Sequence, residues 1–179
     1  MGLNRTKLTK ENYSRNFPVS WEELHRNSKA LAWKLLGKGP LENQKWKGIV
    51  GITRGGLVPA CIVARELEVL LIETFCISSY DVKDQSDTII LKKPETIDGQ
   101  GEGWLIIDDL VDTGKTFELV RHYYPKAHYA CIYTKPQGEK QTDTFVTAFS
   151  QDTWIHFPWD LENQYAVPLA RQDLSLIHI

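Results

Sequence analysis

Three carboxylates and a short glycine turn lie close together near the middle of the chain. Asp108, Asp109 and Asp112 follow the apolar run of residues 104–107, and the turn of residues 113–116 opens the next predicted helix. Backbone N–H groups at such a helix start bind anions, whereas neighbouring carboxylates repel them. Both features serve one ligand if Mg²⁺ or sugar hydroxyls lie between the acids and a phosphate. The segment therefore predicts a site for a phosphorylated sugar.

Two other interpretations of this segment are open. Gly114-Lys115-Thr116 matches the end of the phosphate loop of nucleotide hydrolases, but Asp109 stands where that pattern has its first glycine. A charged side chain at this position would block the close approach of backbone to phosphate. The other interpretation is a buried strand followed by a capped helix. It explains one aspartate as a helix cap and leaves the cluster of three acids unexplained.

Several separated stretches, in a fixed order, support the sugar-phosphate interpretation. They are residues 104–116, Gly51–Pro59, Cys76–Asp81, Thr134–Pro136, and Gln151–Ile155 with Pro158–Asp160. Together these stretches resemble the type I phosphoribosyltransferases, and among them most closely the bacterial xanthine-guanine enzymes. The resemblance extends from about Trp21 to Pro168. Several ordered motifs are far more specific than any single one.

The resemblance implies an α/β fold: a mostly parallel twisted sheet flanked by helices, with a small hood formed by C-terminal segments. It places the phosphoribosyltransferase domain at residues 20–170, between an N-terminal extension of residues 1–19 and a C-terminal tail of residues 171–179. The implied reaction belongs to purine salvage. It transfers the 5-phosphoribosyl group of 5-phospho-α-D-ribose 1-diphosphate to N9 of guanine, xanthine or hypoxanthine, and yields GMP, XMP or IMP with diphosphate.

The resemblance also assigns roles to individual residues. The sugar diphosphate would be bound by a set of residues from two segments: Arg54, Gly55, Asp108, Asp109, Leu110, Val111, Asp112, Thr113, Gly114, Lys115 and Thr116. Within that set, Asp109 is the implied ligand of Mg²⁺, the expected cofactor. Asp112 is the implied catalytic acid/base and lies near purine N7, where a positioned carboxylate can transfer a proton.

Purine recognition is assigned to Asp112, Lys135, Trp154 and Ile155. An ammonium group has donors and no acceptor, so Lys135 suits the 6-oxo group of guanine, xanthine or hypoxanthine and disfavours the amino group of adenine. Trp154 offers a flat ring for stacking, and the backbone around Ile155 can read the purine 2-position. In the loop that follows Tyr80, an ungapped alignment puts Ser86 where the xanthine-guanine enzymes have an arginine.

A regulatory protein on the same fold, which senses phosphoribosyl diphosphate or nucleotides, is the alternative function. The combination of Asp112, Lys135 and Trp154 argues against it. A net charge of −2 and a pI near 6.2 provide no basic field, so nucleic acid is not an expected partner. The expected partners are the two small substrates and further copies of the chain. The family commonly forms homotetramers and can associate peripherally with the inner membrane.

Composition predicts the size of the domain, the compartment of the protein and the state of its cysteines. A chain of 179 residues suits one domain with a substantial core. A polar N-terminus without a long apolar run predicts a cytoplasmic protein. Cys61, Cys76 and Cys131 are widely spaced in apolar stretches and are expected to be buried, reduced thiols.

Alternating patterns predict a parallel α/β sheet. The predicted elements are helices at Ser20–Leu36, Val58–Leu67 and Thr116–Tyr124, and strands at Gly48–Ile52, Val69–Ile77, Trp104–Ile107 and His128–Tyr133. The polar residues 80–102 predict a mobile excursion between strands. Arg54, Asp108, Asp109 and Lys135 directly follow predicted strands, so they should meet at the carboxyl edge of the sheet.

Overall fold

The structure of the protein is a computed structural model that describes residues 13–82 and 85–159. For residues 79–82 and 85–88 it describes the backbone without the side chains. Its helices are α1 (Trp21–Leu35), α2 (Leu57–Glu66), α3 (Lys115–Tyr123) and α4 (Pro136–Glu139), with a short 3₁₀ turn at Glu42–Gln44. Its strands are β1 (Arg15–Pro18), β2 (Gly48–Thr53), β3 (Ile72–Val82), β4 (Gln85–Lys92), β5 (Trp104–Val111), β6 (His128–Thr134), β7 (Thr144–Ala148) and β8 (Thr153–His156).

Six strands form the main sheet, in the order β4-β3-β2-β5-β6-β7. Every neighbouring pair is parallel except β3 and β4, which run antiparallel. The central strand β5 lies between β2 and β6, with Gly51 opposite Ile107 and Leu110 opposite Tyr133. In such a sheet, ligands bind at the carboxyl ends of the strands. The carboxyl ends of β2, β5 and β6 are therefore side by side.

The core fills the space between this sheet and its helices. One buried cluster contains Val50, Phe75 and Ile106 from the strands, together with Phe117 and Val120 from α3. Helix α2 packs on β2, β5 and β3. On α1, Leu24, Leu31 and Leu35 are fully buried and form an apolar stripe, whereas Trp21 at the start of the helix is 57% exposed. This packing joins β2, β3 and β5 to α2 and α3.

The described residues fall into two compact units. The larger contains residues 24–151 and carries the main sheet. The smaller contains residues 13–23 and 152–159, in which β1 pairs with β8 in parallel, with Asn16 opposite Trp154. In that unit the side chain of Ser20 accepts the N–H of Glu23 at 3.1 Å and caps the start of α1. The resemblance implied a small unit of C-terminal segments, and β1 adds an N-terminal strand that the sequence did not predict.

The fold confirms the predicted α/β sheet and corrects three details. Residues 80–102 are not simply an excursion, because β4 forms a hairpin with β3 and brings the backbone of Ser86 opposite Asp81. Strand β5 continues to Val111, so Asp108 and Asp109 lie within the strand. Cys61 is exposed, whereas Cys131 is buried. The predicted tail of residues 171–179 and Asp160 lie outside the described residues.

Candidate active site

Most of the predicted site residues of the larger unit meet at the carboxyl ends of three neighbouring strands. Arg54 and Gly55 follow β2, Asp112 follows β5, and Lys135 follows β6. The register explains this arrangement, because Val111 and Thr134 are direct neighbours across the two strands. The backbone N–H of Lys135 donates to the carbonyl of Val111 at 3.0 Å and continues the ladder by one step. Strand pairing thus brings Asp112 and Lys135 to the same edge of the sheet.

The acid pair lies in the last part of β5. Asp108 is 9% exposed, and its Oδ1 accepts the N–H of Asp109 at 3.0 Å. Asp109 in turn accepts the N–H of Leu110 through its Oδ1 at 2.7 Å. Burial, and next the negative charge of Asp109, raise the pKa of Asp108 well above its ordinary value. A cation or sugar hydroxyl donors at this position would relieve that repulsion.

The glycine turn after β2 lies against the acid pair. A Cβ atom on Gly55 would be 2.2 Å from Oδ2 of Asp109, and one on Gly56 would be 2.3 Å from the carbonyl oxygen of Ile107. Neither position has room for a side chain. The Thr53–Arg54 peptide bond, directly before this contact, is cis. Arg54 itself is exposed to solvent.

The predicted phosphate turn has the expected backbone. Gly114 adopts φ 83°, in the left-handed region that favours glycine, and is the N-cap of α3 without a side-chain cap. Thr113 and Lys115 are exposed, and Thr116 is half-buried. The first N–H groups of a helix have no partners within it and attract an anion. The predicted residues Leu110 and Val111, in contrast, belong to β5 and pair with Tyr133 and Thr134.

Asp112 and Lys135 form an ion pair at this edge. Nζ of Lys135 donates to Oδ2 of Asp112 at 2.8 Å. The Lys135 side chain is 1% exposed, whereas that of Asp112 is 30% exposed. A buried lysine is stable only with charge compensation and hydrogen bonds. Lys135 is therefore buried and paired with Asp112. In this it differs from most lysines that precede a proline, whose side chains are exposed to solvent.

A glutamine that sequence reasoning gave no role contacts the same carboxylate. Nε2 of Gln151 donates to Oδ1 of Asp112 at 2.6 Å, and Oε1 of Gln151 accepts the backbone N–H of Gln137 at 3.1 Å. Gln151 was visible as the first residue of the stretch Gln151–Ile155. Its partner lies 39 positions away, and no local pattern predicts a contact at that distance.

Two predicted purine-binding residues, Trp154 and Ile155, belong to β8 of the smaller unit. Trp154 is half-buried, and its ring makes an edge contact with Tyr13 at 5.0 Å between centroids. Ile155 is 4% exposed. The strand β1 fixes the backbone of both residues through the pairs Asn16–Trp154 and Phe17–Ile155. Within this unit the tryptophan is thus held in a defined position by the N-terminal segment.

The chemistry of the acid pair fits a magnesium ion better than a metal held by protein ligands alone. In the part of the chain that the structure describes, no group of three or more His, Cys, Asp or Glu side chains is arranged to hold a metal ion. Mg²⁺ typically uses one or two carboxylates together with substrate phosphates. Asp108 and Asp109 supply such carboxylates next to the glycine turn.

Within the same described residues, no helix has the length and apolarity needed to cross a bilayer.

Comparison with known proteins finds similar sequences over most of the chain. The chain is 57% identical over 164 residues to the xanthine-guanine phosphoribosyltransferase of Nitratidesulfovibrio vulgaris (strain DP4), covering 92% of this chain and 96% of that protein. It is also 57% identical over 163 residues to the same-named protein of Desulfotalea psychrophila, covering 91% and 98%.

Solved structures show the same fold. A purine phosphoribosyltransferase from Pyrococcus horikoshii superposes with a TM-score of 0.68 at 28% identity, covering 88% of this chain and 99% of that one. The Helicobacter pylori xanthine-guanine-hypoxanthine phosphoribosyltransferase has a TM-score of 0.65 at 19% identity, covering 84% and 97%. The family model of the phosphoribosyl transferase domain matches residues 20–166. The chain therefore belongs to the phosphoribosyltransferase family.

Proposed function

We propose that the protein is a purine-salvage enzyme that transfers the 5-phosphoribosyl group of 5-phospho-α-D-ribose 1-diphosphate to N9 of guanine, xanthine or hypoxanthine. The products are GMP, XMP or IMP and diphosphate. The observation that supports this function most directly is the buried ammonium of Lys135, 2.8 Å from Asp112, at the sheet edge that also carries the acid pair. The names of the relatives that are 50–57% identical to the chain support the same activity.

Binding of the sugar diphosphate follows from the two turns. The start of α3, with Gly114 and Thr116, suits the 5-phosphate, because backbone and hydroxyl donors converge there. The turn after β2 suits the diphosphate, because the Arg54 guanidinium provides a fork of donors and Gly55 admits close backbone approach. Asp108 and Asp109 lie on β5, shortly before the first of these turns and against the second, and suit the ribose hydroxyls.

Mg²⁺ would be held by Asp109 together with oxygens of the substrate. When bound, the ion neutralises charge on the diphosphate and improves it as a leaving group. Asp109 is a better candidate than Asp108, because Asp109 is half-buried beside Gly55, whereas Asp108 is 9% exposed. The buried Asp108 is then the partner that aligns Asp109, through its hydrogen bond to the Asp109 N–H.

Purine binding is proposed for the ion pair and, from the resemblance alone, for Trp154 and Ile155. The Lys135 ammonium donates to the 6-oxo group, and Asp112 exchanges a proton near purine N7 as the base attacks the sugar. Trp154 contributes a stacking surface, and backbone near Ile155 reads the 2-position. Positive charge develops on the sugar during displacement, so neighbouring carboxylates also stabilise the transition state.

Assembly and location are proposed from the resemblance alone. We infer a homo-oligomer, expected to be a tetramer, in the cytoplasm, with peripheral attachment to the inner membrane as a further prediction. Sedimentation velocity of the purified chain tests the tetramer. Fractionation of cells that express it tests the attachment.

The proposed reaction is tested by diphosphate release from the purified protein with Mg²⁺ and phosphoribosyl diphosphate. Guanine, xanthine, hypoxanthine and adenine are compared side by side, with a reaction lacking Mg²⁺ as control. We expect turnover with the three oxopurines, none with adenine, and loss of turnover without Mg²⁺. No turnover with any base, together with tight binding of phosphoribosyl diphosphate, would favour the regulatory alternative.

A further inference from the structure

Gln151 contacts the carboxylate that the proposed reaction uses for proton exchange. We propose that Gln151 is a positioning residue for Asp112: its side-chain amide fixes the Asp112 carboxylate in the orientation that meets the purine. The inference rests on the proposed function. It assigns Gln151 a role through Asp112 and no direct contact with substrate.

The geometry places a donor on each oxygen of Asp112. Nε2 of Gln151 lies 2.6 Å from Oδ1, and Nζ of Lys135 lies 2.8 Å from Oδ2. Hydrogen bonds to ionised acceptors are about twice as strong as neutral ones. Two such bonds from opposite sides oppose rotation of the carboxylate about its Cβ–Cγ bond. An acid/base group works only when it is held within hydrogen-bond reach of its proton.

The orientation of the Gln151 amide is determined by its two partners. Its Oε1 accepts the backbone N–H of Gln137 at 3.1 Å, while Nε2 faces Asp112. The flipped amide would place an oxygen against a carboxylate and an NH₂ group against an N–H, and both contacts are repulsive. Only a side chain with one acceptor and one donor at these positions satisfies both partners. Glutamine has this chemistry, and glutamate at neutral pH does not.

The contact is specific to the site rather than to the core. Gln151 is half-buried and lies 39 positions after Asp112, whose carboxylate its amide contacts directly. Loss of the amide should therefore affect the step that uses the purine and leave the affinity for phosphoribosyl diphosphate unchanged.

The test uses two variants of similar side-chain length, Gln151→Glu and Gln151→Met. Gln100→Glu is the matched control, because Gln100 is exposed and precedes β5, at the opposite edge of the sheet from Asp112. We expect kcat with guanine to fall about 10- to 100-fold in both Gln151 variants, the effect of one hydrogen bond to a charged group. The KM for phosphoribosyl diphosphate should stay within about twofold of the original value, because the anion sites are unchanged.

A pH profile distinguishes positioning from a general loss of structure. A protonated glutamic acid at position 151 can donate its O–H to Asp112 and still accept the N–H of Gln137, which reproduces the contacts of the amide. Asp112 contacts this position directly, and Lys135 pairs with Asp112. Activity of Gln151→Glu relative to the original protein should therefore rise as pH falls from about 8 to about 5.5. Gln151→Met and Gln100→Glu should show a constant ratio.

The outcomes separate the two proposals. No turnover by the original protein would overturn the proposed function and this role with it. Normal turnover by the original protein and by both Gln151 variants would overturn the role of Gln151 alone. If Gln151→Glu fails to fold, as judged by circular dichroism, Gln151→Met still decides the question through kcat. Equal losses in kcat and in affinity for phosphoribosyl diphosphate, without recovery at low pH, would indicate a structural role and contradict positioning.

Discussion

Nζ of Lys135 donates a 2.8 Å hydrogen bond to Oδ2 of Asp112, and the lysine is the more deeply buried partner, with 1% of its side chain exposed against 30% for the aspartate. The cost of breaking such a pair comes mainly from the charge that stays behind in a low-dielectric environment. Because the cation is the buried member, removal of the Asp112 charge should destabilise the fold more than removal of the Lys135 charge. The pair therefore links stability to catalysis.

Asp112→Asn is the first test of this link. We expect kcat to fall about 10²-fold or more, because the acid/base group is lost. The free energy of unfolding should fall by about 1–3 kcal/mol, less than for a fully buried pair because Asp112 is partly exposed. Urea denaturation measures the second effect. Lys135→Gln should lower the unfolding free energy by less, and an equal or larger loss for Lys135→Gln would contradict the argument from burial.

Base selectivity provides a second prediction from the same pair. The Lys135 ammonium offers donors only, whereas a glutamine amide can also accept the amino group of adenine. Lys135→Gln should lower kcat/KM for guanine and hypoxanthine by about 10- to 100-fold and narrow their advantage over adenine. Steady-state kinetics with each base measures the change. The KM for phosphoribosyl diphosphate is the internal control, and a large rise in it would show that Lys135 acts elsewhere in the site.

Gly55 is expected to be irreplaceable because of its contact with the acid pair. In Gly55→Ala the new Cβ would lie 2.2 Å from Oδ2 and 2.4 Å from Cγ of Asp109. Asp109 can retreat only by giving up its 2.7 Å hydrogen bond from the Leu110 N–H. We expect the affinity for phosphoribosyl diphosphate with Mg²⁺ to fall at least about tenfold, since one lost charged hydrogen bond is of that size. Isothermal titration calorimetry measures it.

Gly99→Asn is the matched control for that variant. Gly99 has φ 57°, which asparagine tolerates, and a Cβ there would meet nothing within 4 Å. Binding of phosphoribosyl diphosphate should be unchanged in Gly99→Asn. If Gly55→Ala also binds normally, the close contact with Asp109 does not matter for the site.

The sequence predicted the elements and the sheet edge well because both depend on local pattern. The apolar run of residues 104–107 and the glycine turn at Gly114 are readable without knowledge of partners. The end of β5 was misplaced for a physical reason. Hydrophobic pattern stops at Ile107, but the backbone ladder continues through the acids to Val111, because pairing with β6 needs only peptide groups.

Other features escaped prediction because they depend on contacts distant in sequence. Strand β4 is polar at its start, and its pairing with β3 arises from the hairpin rather than from apolar alternation. Strand β1 gains its partner β8 from the other end of the chain. The hydrogen bond between Gln151 and Asp112 spans 39 positions. The ion pair between Asp112 and Lys135 also follows from strand register. The sequence placed Lys135 and the acid segment at one edge of the sheet, but it did not show this contact.

Asp108 gives a prediction about pH and about the conflict between stability and binding. Burial and the adjacent charge of Asp109 raise its pKa in the folded protein well above the ordinary value of 3.8. The folded chain therefore keeps a proton that the unfolded chain releases, so this contribution to stability is complete below about pH 4 and is lost as pH rises through the folded pKa. The raised pKa of Asp108 therefore makes the ligand-free protein less stable at higher pH than at about pH 4.

Asp108→Asn should remove this part of the pH dependence and stabilise the ligand-free protein at pH 7.5. Asparagine keeps an acceptor for the N–H of Asp109, now at 3.0 Å from Oδ1, but carries no charge to repel its neighbour. Each 1 kcal/mol gained should raise the melting temperature by about 2–4 °C in a chain of this size. Thermal unfolding at several pH values measures it, with Asp98→Asn at an exposed position as control.

The same variant should bind phosphoribosyl diphosphate with Mg²⁺ more weakly. In the original protein the ligand relieves the repulsion between Asp108 and Asp109, and this gain favours binding. The variant has no such repulsion to relieve. A variant that is less stable at pH 7.5, or that binds as tightly as the original protein, would contradict this account of the acid pair.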